Sequence, residues 1–195
     1  MEHKTCNSKV NVPINEYVSR CIVASLNNDL SYDRFSTGCH LDSHANMIVC
    51  GKDCYIISRS SHTAVVNAFT KDVGTIEVPI VDALLVYEDE ITGKIYYLIA
   101  RNVLYVESME YCLIPPFILR EAGLIVNERP KIHTDPETVC PEDHSIIDPN
   151  SDLHIQMELC DTFSAFKTRA PTISDTNQDD ITVVRITPEG ASWDP

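Results

Sequence analysis

One short stretch, Cys39-His40-Leu41-Asp42-Ser43-His44-Ala45-Asn46, gathers residue types that can do chemistry together. An apolar residue that can anchor a strand end in a core precedes a carboxylate. A hydroxyl that can lock a loop by hydrogen bonding follows it, and a small residue stands two positions further on. A carboxylate projected into a cleft is a candidate for acid–base work. Two such groups brought close cannot both ionise, because like charges a few ångströms apart raise one pKa. They then share a proton, and one serves as base while the other serves as acid. The same residues have plainer readings. Asp42-Ser43 could form an Asx turn or an N-cap ahead of 45–49. Cys39, His40, His44, Cys50 and Cys54 could ligate zinc, although their spacing matches no paired-knuckle pattern. A small zinc-stabilised β module is therefore carried as an alternative.

The elements that must position Asp42 are mainly β. Thr63-Ala64-Val65-Val66 and Thr75-Ile76-Glu77-Val78 flank 67–74 as one candidate hairpin, with its tip near Thr70 to Gly74. Val78 to Tyr87 and Lys94 to Ala100 read as a second hairpin around a turn at Glu88 to Gly93. A further β run follows at Val103 to Val106. Pro115-Pro116 opens one short helix over 116–122 and Gly123 ends it, the usual order of proline and glycine at helix ends. The tyrosines Tyr96, Tyr97 and Tyr105 are read as packing groups.

Outside that centre the signals weaken. Residues 1–35 show no sustained period, only a hint of an element at Ile22 to Leu26. Residues 129–195 hold seven of the eleven prolines, which disfavours long regular elements. Within them Lys131 to His133 and His144 to Ile147 read as short extended pieces. Leu153 to Leu159 alternates like a half-buried strand, and Phe163 and Phe166 are placed to pack back on the core. The span 129–169 is expected to be a β extension and 170–195 a flexible acidic tail.

Composition excludes several function classes. With 15 Lys+Arg against 29 Asp+Glu, the net charge of −14 opposes binding to nucleic acid or to an anionic membrane surface. No apolar run approaches the roughly 18 residues that span a bilayer. No secretory segment follows the charges of Met1 to Cys6. The eight cysteines are therefore expected to be reduced, mostly as small apolar residues in strands, in an intracellular protein.

Leu41-Asp42-Ser43-His44-Ala45 resembles the active-site loop of aspartic proteases, and the order of elements after it resembles the retropepsin fold. A narrower resemblance lies in Asn102-Val103-Leu104-Tyr105-Val106 through Leu113-Ile114 to Gly123. It looks like the segment that closes the protease domain of copia-type retrotransposon polyproteins. The apolar pair Leu113-Ile114 begins 71 positions after Asp42. The resemblance covers about 36–128. It implies a retropepsin-like closed β-barrel half with one short helix, no cofactor and no metal. It also implies a homodimer with Asp42 from each chain across a two-fold axis, cleaving a polypeptide substrate in the cytoplasm or a retroelement particle. Asp42 would be catalytic and Ser43 would lock the loop. Ala45, Asn46, Thr70 and Gly74 would line the substrate. The chain departs from the family where His44 stands for Gly, Glu107 for Pro and Cys112 for Asn. The flap tip has Gly74 alone where retroviral flaps are Gly-rich. A catalytically inactive remnant or scaffold of the same fold is therefore the second reading. Leu159-Cys160-Asp161-Thr162 has a similar look, but too little chain follows it for a second lobe, and Asp161 is read as the end of a strand.

Overall fold

A computed structural model describes residues 18–20, 38–67, 74–160, 163–175 and 180–189. The strands in chain order are β1 (Val18–Arg20), β2 (Cys39–Leu41), β3 (Val49–Cys50), β4 (Tyr55–Asn67), β5 (Thr75–Glu88), β6 (Ile95–Tyr105) and β7 (Cys112–Ile114). After the helix α1 (Pro116–Glu121) come β8 (Ile125–Asn127), β9 (Ser145–Ile147), β10 (His154–Gln156), β11 (Glu158–Cys160), β12 (Phe163–Phe166) and β13 (Thr182–Arg185). The protein is mainly β, as its sequence indicates.

The main sheet runs β1-β4-β5-β6-β3-β7-β2-β12-β11, with β13 also on β6. Parallel pairs (β2 with β7, β3 with β6, β13 with β6) mix with antiparallel ones. The strand order has two ends among the described residues, which form a mixed sheet without showing the closed barrel half that the resemblance implies. A second sheet, β10-β9-β8, is not hydrogen-bonded to it but shares its large apolar cluster through Val126, Ile146 and Ile155.

The long strands serve two apolar clusters, one from each face. Along β5 the buried residues Val78 and Ile80 belong to a small cluster with Met47, Val49, Ala64, Leu104 and Leu113. The alternate residues Val81, Ala83, Leu85 and Tyr87 face the other way, into the large cluster. The β5–β6 register shifts between Val81 and Ala83. The extra residue lies on β6, where three steps from Val103 to Ala100 face two from Val81 to Ala83, so that Val103, Ala100, Leu98 and Tyr96 all reach the large cluster. Asp82 pins the shift. Its Oδ1 accepts from Asn102 N at 3.1 Å, and its Oδ2 accepts from Ser58 Oγ at 3.1 Å and Arg101 Nη1 at 3.3 Å. Asn102 takes φ 51° there, a left-handed conformation that Asn tolerates better than most residues. Val103 to Val106 is thus not a separate strand: β6 runs on through this bulge to Tyr105.

The helix forms where the sequence places it, with Pro116 in its first turn and Gly123 beyond it at φ 92°. Ile118 and Leu119 are its buried face. The C-terminal region departs from the sequence reading. Lys131–His133 is a 3-10 turn rather than an extended piece. The expected single strand Leu153 to Leu159 is split at Met157, so that β10 and β11 enter different sheets. Residues 182–185 are no flexible tail: β13 pairs with β6 from Thr182↔Tyr96 to Arg185↔Ile99, and Val184 and Ile186 are buried in the large cluster. Phe166 packs back on that cluster as expected. Of residues 1–35 only β1 is described, and the hint at Ile22 to Leu26 falls outside the described residues. No helix among the described residues is long and apolar enough to cross a membrane.

Candidate functional site

Asp42 leaves the end of β2, between two neighbours that fix that strand. β7 runs parallel on one side with Leu41↔Ile114, and β12 runs antiparallel on the other with His40↔Ala165. The backbone N–H of Asp42 continues the ladder by donating to Ile114 O at 3.1 Å. Leu41 and Ile114 are both buried, so the carboxylate is carried on a strand end set into the core. Its side chain keeps 15% of its exposure. Two close approaches shape this floor. A Cβ on Gly38, at φ 130°, would lie 2.6 Å from Phe166 O, and one on Gly51 would lie 2.5 Å from Met109 O. Only glycine lets β12 and the 109–111 segment come so near.

The loop after Asp42 turns at once. His44 N–H donates to Asp42 Oδ1 at 2.9 Å, so an Asx-type turn does form, as the plainer reading of these residues has it. His44 does not take a positive φ; the bend closes without the conformational freedom of the glycine that the resemblance would place there. Its ring is 75% exposed, with Nδ1 3.9 Å from Asp42 Oδ1 and 3.3 Å from Ser43 Oγ. Ser43 and Asn46 are exposed, whereas Ala45 is buried. Ala45 therefore supports the loop from within instead of facing a cleft through its side chain.

The β4–β5 hairpin reaches this loop through the small apolar cluster. Met47, five residues after Asp42, and Leu113, beside Ile114, share that cluster with Ala64, Val78 and Ile80 of the hairpin. Met47 was not singled out in the sequence, although its place directly after the motif marks it as the loop's anchor. Gly74 stands just before β5 at φ 82°, and a Cβ there would meet nothing within 4 Å. Thr70 lies outside the described residues, as does Asp161.

The zinc alternative loses its ligands to other tasks. His40 is buried and stacks between Tyr111 at 4.3 Å and Phe163 at 4.6 Å. His44 points outward on the loop. Cys39 and Cys50 are buried beside Cys112, where Gly51 N–H donates to Cys112 Sγ at 3.4 Å. Burial pushes the Cys39 thiol up, and the sulfurs of Cys112 and Cys54 together with burial push the Cys50 thiol up, so both stay protonated as small apolar groups. Among the described residues no group of three or more His, Cys, Asp or Glu could hold a metal ion.

No protein-family model matches the chain, and comparisons with curated proteins and with solved structures give no match.

Proposed function

We propose that the chain is a retropepsin-type aspartic endopeptidase of a copia-type retrotransposon polyprotein. In this reading it works as a homodimer to which each protomer gives one Asp42. The observation that carries it is the placement of Asp42. The carboxylate stands at the end of β2, tied through its own N–H to Ile114 of β7, with α1 following directly and the β4–β5 hairpin packed onto the same loop through Met47.

In this reading the two Asp42 carboxylates meet across the dimer axis and hold one proton between them. The ionised member takes a proton from water, whose oxygen attacks the peptide carbonyl. The protonated member supports the carbonyl oxygen and later supplies the proton the departing amine needs. His44 N–H keeps the Asp42 carboxylate oriented. Ser43 steadies the loop at the axis. The polypeptide substrate lies between this loop, near Asn46, and the β4–β5 hairpin. A second reading, a non-cleaving remnant, is favoured by one observation: the exposed His44 side chain fills space where the family has none.

The test is cleavage of a peptide library by the full chain between about pH 4 and 7, read by mass spectrometry, with Asp42→Asn in parallel. The peptidase reading expects defined cleavage sites that the variant loses. Cleavage unchanged in the variant would remove Asp42 from the mechanism, and a native chain that cleaves nothing would leave the remnant.

A further inference from the structure

Three sulfurs stand in a row across neighbouring strands of the main sheet, where the order is β3-β7-β2. Cys39 of β2 is the register partner of Cys112 of β7. On the other side of β7, the antiparallel pair Val49↔Leu113 sets Cys50 opposite Cys112. All three face the large apolar cluster, and the half-buried Cys54 packs against it. The central sulfur collects donors. The thiols of Cys39 and Cys50 serve it, and so does Gly51 N–H at 3.4 Å. Together they hold the Cys112 thiol below its usual value in spite of its burial. The exposed Cys140 is the opposite case, because the neighbouring Glu142 and Asp143 push its thiol up. Thiol reactivity follows the thiolate, so the sulfur best prepared to react lies inside the sheet.

We propose that Cys112 is a peroxide-sensitive thiol and that Cys39 closes a disulfide with it. Neighbouring strands lie about 4.8 Å apart, within the Cα separations of roughly 4.4–6.8 Å that disulfides span. Hydrogen peroxide, little larger than water, reaches the row by local opening. The Cys112 sulfur attacks one peroxide oxygen. An S–O bond forms, the O–O bond breaks, and the departing hydroxide takes the proton Cys112 released and becomes water. The Cys39 sulfur then attacks the sulfenic sulfur. The S–S bond forms as the S–O bond breaks, and the second oxygen leaves as water with the proton from Cys39. Two thiols and one peroxide give one disulfide and two waters. Cys39 is assigned ahead of Cys50 because Thr168 Oγ1, 3.3 Å from its sulfur, can donate to it as it gives up its proton. The bridge ties β2 to β7 just below the bond from Asp42 N–H to Ile114 O. It forms whether or not Asp42 catalyses cleavage.

The experiment treats the folded full chain with hydrogen peroxide, checks by circular dichroism that it stays folded, and blocks the remaining thiols in denaturant. Disulfides are then mapped by peptide mass spectrometry. The expected result is a loss of two thiols per chain, reversed by dithiothreitol, and one linked peptide pair that joins Cys39 to Cys112. Cys39→Ala and Cys112→Ala lose the link, and Cys50→Ala keeps it. The map of the native chain decides the matter even where a variant does not fold. A folded chain that keeps both thiols, first oxidation at Cys140, or a link between other cysteines would overturn the proposal. So would a bridge that forms only in urea.

Discussion

The two apolar clusters of this protein differ in size, and they do different work. The large one joins β2, β3, the inner halves of β5 and β6, β7, α1, β12 and β13, together with β8, β9 and β10 of the second sheet. The small one has residues from the Asp42 loop, the outer half of the hairpin and the ends of β6 and β7. The floor that carries Asp42 is thus built into the body of the protein, while the hairpin is held over it by a few aliphatic side chains. On β4 the residues from Ile57 to Thr63 are exposed, and its pairing with β5 is interrupted between Arg59 and Thr63. If the proposed peptidase reading holds, the substrate would enter between this floor and the hairpin.

The comparison can be broken most severely by removing the C-terminal strands. A chain ending at Glu128 loses Phe166, Val184 and Ile186 from the large cluster and leaves β2 without its β12 neighbour. It is expected to show no cooperative thermal transition by calorimetry, although the resemblance to the protease family ends near that point. Ile114→Ala follows. Ile114 is fully buried and holds the Asp42 backbone, so the variant should lose about 3 kcal/mol of global stability in urea unfolding.

The ion pair that fastens the C-terminal segment ranks next. Asp175 is 3% exposed and accepts from Arg169 Nη1 at 2.6 Å and Nη2 at 2.8 Å. Arg169 in turn bridges to Val86 through its backbone. Asp175→Asn is expected to cost about 2 kcal/mol at neutral pH. The guanidinium beside Asp175 holds its carboxyl well below the usual carboxylate range. Its stabilisation is therefore present above the unfolded value, about pH 4, and is lost only as the pH falls well below it. The native-minus-variant difference in urea unfolding should stay constant from pH 8 to 5 and shrink in strong acid. The smallest effect sharpens the comparison most. Val78→Ala in the small cluster should cost about 1.5 kcal/mol. Hydrogen exchange should speed up at amides of the outer hairpin, Thr63 to Val66, with little change at Leu98 or Ile99.

How much of this was legible in the sequence depended on local pattern. The helix over 116–122 announced itself because Pro116 and Gly123 encode its ends in backbone chemistry. The hairpins showed where β-branched runs flank a turn. The first half of β4 did not show. Ser58-Arg59-Ser60-Ser61-His62 has no apolar alternation, and only Ser58 and Arg59 of it pair with β5. β13 was hidden for a similar reason: its short run stands among Asp and Pro residues, and its parallel partner β6 is more than eighty positions earlier in the chain. The motif at Asp42 was legible as a strand end and a bend. Its tie to Ile114 followed from the order of motifs and not from any local signal. That His40 would be an aromatic stacking partner, and that Met47 would hold the hairpin, depended on contacts across the sheet that no spacing along the chain encodes.

The central claim is that two Asp42 side chains make one site. Its most direct test is cleavage by native chain mixed with an equal amount of Asp42→Asn and allowed to exchange subunits at fixed total concentration. A shared site predicts about one quarter of the native rate, since only native–native pairs keep both carboxylates. A rate of about one half would mean that each chain acts alone and would contradict the account.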